Sequence, residues 1–363
     1  RKGMKELRLM KGNEAFAEAA IRVGADAYFG YPITPQSEVM EYLMAEKPYE
    51  RTGMVVLQSE SELGAINMVY GAAACGKRAL TSSSSPGISL MQEGISYIAG
   101  SELPCLILNV ARGGPGLGTI QPSQSDYFQA TKGGGHGDYR LIVLAPSSVQ
   151  EMFDFVSLGF ELAFKYRNPV MMLSDGVIGQ MMEKVELSEQ QPRLTNQQID
   201  ELYPWATTGK KPGKDRRIIT SLELDPSKQE KHNLKLQEKY RKIEASEVRY
   251  ETLQCEDAEY LLVAFGSSAR ICQKAMDLGR AKGIKVGLLR PITLYPFPYA
   301  IVEQLSNQVK GILVVELNAG QMIEDVRIGS HDRIKVKHYG RFGGMIPSPV
   351  EVLDALEKQI IGD

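Results

Sequence analysis

A chain of 363 residues, 43% hydrophobic and 24% charged, has room for two or three domains with real cores. Its net charge of −2 excludes the basic footprint of a nucleic-acid binder, and no apolar run approaches membrane-spanning length. The four cysteines, Cys75, Cys105, Cys255 and Cys272, are scattered with no C-x-x-C pair, which excludes a disulfide framework and an iron–sulfur cluster or structural zinc held by this chain alone. Arg1–Lys5 shows no apolar leader segment, so a soluble, cytoplasmic protein is expected.

In chain order, Asn13 is a good N-cap for a helix over 14–23, closed by Gly24. Asp26-Ala-Tyr-Phe29 reads as a strand. Gly30-Tyr-Pro-Ile-Thr-Pro35 is a rigid turn in which Thr34 is placed to cap the next helix and Pro35 to occupy its first position. Met54-Val-Val-Leu57 is apolar and β-branched, the pattern of a buried strand. Leu63, Ile66, Val69, Tyr70 and Ala73 then recur at helical spacing until Gly76.

Glu60 and Glu62 fall in the first turn of that helix, at the carboxyl edge of a strand, where open α/β sheets bind ligands. Two uses of Glu62 are open. Ser59-x-x-Glu62 fits a capping box, a purely structural role. A carboxylate so placed can instead hydrogen-bond a ring nitrogen of a cofactor.

Arg78-Ala-Leu-Thr81 is a strand leading into Ser82-Ser-Ser-Ser-Pro-Gly87 and a helix over 88–99. Cys105–Ala111 is nearly all apolar, as in a parallel strand covered on both faces, and delivers Arg112 to its carboxyl end. Two glycine clusters follow, Gly113-Gly-Pro-Gly-Leu-Gly118 and Lys132-Gly-Gly-Gly-His-Gly-Asp138. Further strands at 141–144 and 170–173 flank a helix at 148–165. Alternation of this kind predicts a parallel α/β sheet.

From 188 to 255 prolines, the Gly209–Lys214 turn and a charged helix at 228–244 break the alternation, and a connection crossing between domains is expected there, with Trp205 packed along it. Lys210, Lys211, Lys214, Arg216 and Arg217 read as a solvated face. A second α/β unit, 256–363, carries strands at 260–265, 285–289, 311–316 and 334–337, the second broken by Arg290–Pro298. Neither a P-loop nor a G-x-G-x-x-G stands between strand and helix, which argues against a nucleotide site.

Gly12-Asn-Glu14, Tyr31-Pro-Ile-Thr-Pro35, Ser61-Glu62, Ser85-Pro-Gly87, Arg112-Gly-Gly-Pro115 and Arg290-Pro-Ile-Thr293 occur in this order in 2-oxoacid:ferredoxin oxidoreductases, and nearly the whole chain resembles that family. It looks like the subunit joining a pyrimidine-binding domain of thiamine diphosphate enzymes, here 1–187, to a transketolase C-terminal-like α/β domain, here 256–363. The glycine region looks most like the 2-oxoisovalerate (3-methyl-2-oxobutanoate) type, with the 2-oxoglutarate type similar.

The resemblance implies oxidative decarboxylation of a 2-oxoacid to an acyl-coenzyme A, with electrons leaving to ferredoxin. It implies that Glu62 hydrogen-bonds the aminopyrimidine ring of thiamine diphosphate and is catalytic, whereas Glu60 points elsewhere. Thr34 and Arg112 match the family's substrate contacts; their plain alternatives are an N-cap and a strand-end salt bridge. Tyr31 and His136 could each line the pocket, their plain alternatives being a packed tyrosine and a hydrogen-bonded loop histidine, and Ser82 to Ser85 could approach the pyrimidine ring, though a serine-rich turn needs no ligand. No metal ligands are expected on this chain. Ser174-Asp-Gly176 lacks the first glycine of the diphosphate and magnesium motif, and no asparagine pair follows. A partner subunit bringing magnesium, the diphosphate-binding domain and a 4Fe-4S cluster is therefore implied, together with a small ferredoxin-like subunit. A non-oxidative thiamine enzyme and a non-catalytic scaffold are the competing possibilities.

Overall fold

The computed structural model describes residues 6–362; Arg1–Lys5, read above as lacking a leader, lie outside the described residues. Among the described residues fourteen strands form three sheets: β1 (Glu6–Lys11), β2 (Ala27–Gly30), β3 (Val55–Gln58), β4 (Ala79–Ser83), β5 (Cys105–Ala111), β6 (Ile142–Leu144), β7 (Pro169–Asp175), β8 (Met182–Leu187), β9 (Tyr250–Leu253), β10 (Tyr260–Val263), β11 (Val286–Pro291), β12 (Thr293–Tyr295), β13 (Gly311–Glu316) and β14 (Lys335–Gly340). The main sheet runs β12-β6-β7-β5-β4-β2-β3, parallel except for β12. The second runs β14-β13-β10-β11-β9, and β1 pairs with β8 in an antiparallel ribbon. The fold is the α/β architecture expected.

All seven residues of β5 are buried, as its apolar run requires of a strand between two helical layers. β3 departs from the expectation of a buried strand. It is the sheet's edge, and Val55 and Leu57 remain 43% and 46% exposed. Apolar residues in an uncovered edge strand offer a surface for another chain.

The connecting region does more than cross. β9 joins the second sheet antiparallel to β11, and the Arg290–Pro298 stretch does not simply break a strand. β11 runs through Arg290 and Pro291, and the next residues cross over as β12 to pair with β6 of the first sheet. Arg290 anchors that crossing by donating to Ser147, Glu151 and Glu251. Burial would lower its pKa, but Glu151 and Glu251 outweigh that and hold the guanidinium charged. Trp205 packs beside Tyr203 with the Arg167 guanidinium 4.7 Å from its ring centre. Of the expected solvated face, Lys211, Lys214 and Arg217 instead converge on the Asp200 carboxylate.

Helix starts also differ from expectation. The first helix spans Gly12–Arg22, so Asn13 lies inside it, buried, and its amide donates to Pro35 O (2.7 Å) and Glu38 Oε2 (3.0 Å). A Cβ on Gly12 would lie 2.0 Å from Ile178 O, so this helix starts where only glycine lets it pack on the turn after β7. Among the described residues no helix is long and apolar enough to cross a membrane.

The two sheets meet along a polar seam. Gln124, 2% exposed, donates to Phe265 O (2.8 Å) and accepts from Ser268 Oγ (2.7 Å), Leu317 N–H (3.0 Å) and the Asn318 amide (2.8 Å). Asp325, fully buried, accepts from Tyr127, Tyr299 and Lys132. Burial, reinforced by the Asp325 charge, pushes the Tyr127 phenol well above its ordinary range.

Candidate active site

Because β2, β3, β4, β5 and β7 are parallel, their carboxyl ends share one edge, and there stand Tyr31, Thr34, Glu62, Ser85, Arg112 and Asp175. The helix bearing Glu62 spans Glu62–Ala74, and its N-cap is Ser61, whose hydroxyl accepts from Gly64 N–H at 3.3 Å. The Ser59 capping box does not form. Ser59 donates to Ser61 O (2.6 Å) and so shapes the turn. Glu62 becomes the first helical residue, where a carboxylate cannot reach back to a cap. It is 9% exposed, and its carboxylate has no hydrogen-bond partner among the described residues.

The neighbouring helix, Pro86–Gly100, approaches that carboxylate through Gly87. A Cβ there would lie 2.0 Å from Ser83 Oγ and 2.9 Å from Glu62 Oε1. Ser83 and Ser84, at the end of β4, and Thr81 within it are fully buried, with hydroxyls that find no partner among the described residues. Ser82 is satisfied by Tyr28 and Gln36. Buried polar atoms without partners cost about 1–3 kcal/mol each. Ser83 Oγ and the Glu62 carboxylate both crowd Gly87, so an unpartnered hydroxyl and an unpartnered carboxylate share one polar cradle at the end of β4. Glu60, in contrast, is exposed and folds over Gly64, as expected.

Arg112 is 6% exposed and forms no salt bridge among the described residues. Its terminal nitrogens donate to Thr34 O and Leu117 O, both at 3.0 Å, and its Nε–H is buried without an acceptor. Thr34 is thus brought to Arg112 through its carbonyl. Its expected cap role is not realised, since the helix begins at Ser37 with Gln36 as its cap position, and the Thr34 side chain is exposed. Ser85 is woven in as well. Its hydroxyl donates to Asp126 Oδ2 (2.6 Å) and accepts from Arg112 N–H (3.0 Å). Asn109 also donates to Asp126, at 2.8 Å. The Tyr31 hydroxyl makes no hydrogen bond among the described residues, although its carbonyl accepts from Gln36.

A cleft of about 400 Å³ opens beside Arg112, walled by Ser85, Pro86 and the 113–117 loop on one side and by Asn318, Ala319, Gln321 and Phe342 on the other. His136 is elsewhere. Its carbonyl accepts from Ser96, which lies ten residues, or about 15 Å, along the helix from Pro86, and it lines a separate pocket. Asp175 is spoken for. It accepts from Val177 and Ile178 N–H and from Ser267 Oγ, while burial pushes its carboxyl up against these bonds. No group of three or more potential metal ligands occurs among the described residues.

Sequence reasoning missed Asp126 and the whole second wall of the cleft. Asp126 sits in an unpatterned loop, and Phe342 is more than two hundred residues from Arg112, so no local spacing could have paired them.

Open parallel sheets bind ligands at this edge, and the family match makes the class thiamine diphosphate-binding. Residues 18–252 match the family model for the thiamine diphosphate-binding domain of pyruvate flavodoxin/ferredoxin oxidoreductases, and 258–352 match pyruvate:ferredoxin oxidoreductase core domain II. The chain is 48% identical, over 98% of both chains, to the ketoisovalerate oxidoreductase subunit VorB of Methanothermobacter thermautotrophicus. It is 36% identical, over 98% of this chain and 100% of the other, to the 2-oxoglutarate synthase subunit KorA of Methanocaldococcus jannaschii. It belongs to the 2-oxoacid:ferredoxin oxidoreductase family, as a subunit. Among solved structures it is similar to the 2-oxoglutarate:ferredoxin oxidoreductase from Magnetococcus marinus with 2-oxoglutarate, coenzyme A and succinyl-CoA bound. The TM-score is 0.83 at 29% identity, covering 98% of this chain and 65% of that one. A split-gene transketolase (TM-score 0.61, 12% identity) shares the fold alone.

Proposed function

We propose that this chain supplies the pyrimidine side of the thiamine diphosphate site, and the grip on the substrate carboxylate, in an oxidoreductase acting on a branched-chain 2-oxoacid. The overall reaction converts 2-oxoacid, coenzyme A and oxidised ferredoxin to acyl-coenzyme A, carbon dioxide and reduced ferredoxin. In this assignment 1–187 form the pyrimidine-binding domain, 188–255 the crossing and 256–363 the transketolase C-terminal-like domain. The ketoisovalerate enzyme subunit to which the chain is 48% identical supports the substrate class.

The observation that carries the substrate class is the charge of the cleft. Arg112 is the one cation and Asp126 the one acid among its lining residues. The second carboxylate of 2-oxoglutarate would meet no cation on this side and would face Asp126. A monocarboxylate with a hydrocarbon tail meets no such conflict.

Thiamine diphosphate, when bound, supplies the carbanion chemistry that decarboxylation of a 2-oxoacid needs. Glu62 would hold a proton between its carboxylate and the pyrimidine ring, and the unpartnered hydroxyls of Ser83 and Ser84 would orient that ring. Tyr31, Thr34 and Ser85 would shape the pocket, with Ser85 acting through Arg112 and Asp126. Arg112 uses two of its five donors on carbonyls, which fixes its plane and leaves the others for a carboxylate. The diphosphate, its magnesium and a 4Fe-4S cluster would come from a partner subunit, with a small ferredoxin-like subunit alongside. The exposed β3 edge and the nearby Leu63, 44% exposed, support such a neighbour.

The test is reduction of a viologen dye by the complex purified from its native cell, across a panel of 2-oxoacids with coenzyme A. Fastest reduction with 3-methyl-2-oxobutanoate is expected. Fastest reduction with 2-oxoglutarate would overturn the substrate class, and no reduction with any acid would overturn the enzyme assignment in favour of a scaffold.

A further inference from the structure

The second wall of the cleft carries a side chain whose position calls for an explanation. Phe342 follows β14 and is 64% exposed, and Leu117, on the facing loop, is 77% exposed. An aromatic ring left that open forgoes much of the favourable transfer its burial would give. Its place is nonetheless fixed. A Cβ on Gly113 would lie 2.9 Å from both Gly343 C and Gly344 N, so the two loops touch backbone to backbone immediately beside Arg112. Gly344, at φ +98°, packs on Gln121, whose carbonyl in turn accepts from Gly113 N–H at 2.9 Å.

The polar residues beside Phe342 have little left to offer a ligand. Asn318 donates to Gln124 O and Glu316 and accepts from Gly320 N–H. Gln321 donates to Ser125 O and accepts from Phe128 N–H. Beside these engaged amides, Phe342 and Leu117 stand free on either side of the cleft, and Leu117 also lends its carbonyl to the Arg112 guanidinium.

We infer that Phe342, reaching over from the second sheet, forms with Leu117 the apolar wall that receives the hydrocarbon tail of the 2-oxoacid whose carboxylate Arg112 holds. Phe342 is then a specificity-determining residue, which rests on the function proposed above. A methyl or methylene group in such a pocket changes kcat/KM by about tenfold or more.

The experiment uses the purified complex and dye reduction with 3-methyl-2-oxobutanoate, pyruvate and 2-oxoglutarate. Phe342→Ala is expected to lower the kcat/KM ratio of the branched acid to pyruvate by about tenfold, mainly through KM, with subunits still co-purifying. Phe342→Lys is expected to raise the ratio of 2-oxoglutarate to the branched acid. Unchanged ratios in both variants, with the wild type active, would overturn this inference alone. Loss of the partner subunit on Phe342→Ala would make Phe342 a subunit contact and overturn it equally. A wild-type complex inactive with every 2-oxoacid removes the underlying function and this inference with it.

Discussion

Two polar regions a short distance apart in this chain are built on opposite principles. Along the seam between the sheets, Gln124, Asp325, Asp175 and Glu316 each have several partners. At the carboxyl edge of the main sheet, Glu62, Ser83, Ser84 and the Arg112 Nε–H have none among the described residues. Buried groups of both kinds cost desolvation, and only the first kind is compensated within the chain. The seam therefore reads as structure, and under the function proposed above the edge is a site completed by a bound ligand and a partner subunit.

Substitutions on the two sides should fail differently. Glu62→Gln, made in the assembled complex, is expected to lower turnover by about 10²–10⁴-fold. Its melting temperature should barely move, because Ser61 caps the helix and the Glu62 carboxylate bonds nothing among the described residues. Activity retained after this change would make the cradle an accident of packing. Asp325→Ala does the reverse. Removing one carboxylate from Tyr127, Tyr299 and Lys132 should cost about 3–5 kcal/mol of stability, read as a shift of the denaturant midpoint. A midpoint unchanged by that substitution would contradict the structural role of the seam.

A smaller effect belongs to a third carboxylate, that of Glu18, buried on the inner face of the first helix. Burial alone would raise the Glu18 carboxyl, but hydrogen bonds from Arg51, Arg22 and Tyr42 outweigh it and hold the pKa down at about 2. A carboxyl lowered on folding adds stability above its unfolded pKa, and that contribution disappears as pH falls from about 5 towards 2. Chemical denaturation across that range should show the loss, and Glu18→Gln should flatten it.

Much of the main sheet was legible from the chain, because parallel buried strands such as β5 announce themselves as apolar runs. The chemistry at the edge was legible in part. Glu62 and Arg112 sit at strand ends where ligands bind, but the resemblance to a family, and not spacing, singled them out. Glu62 gained support from a correction, since the cap fell to Ser61 and left its carboxylate without the structural task Ser59 had offered. What stayed hidden depends on contacts distant in sequence. β12 leaves one sheet for another, and Phe342 reaches Arg112's loop through two glycines whose close approach no local pattern encodes.

The half-site itself is tested by titrating thiamine diphosphate and magnesium into the chain alone and into the chain assembled with its partner subunit, followed by calorimetry. Saturable binding by the assembled complex, and none by the chain alone at the same concentrations, is the expected result. Equally tight binding by the isolated chain would contradict a site completed between subunits.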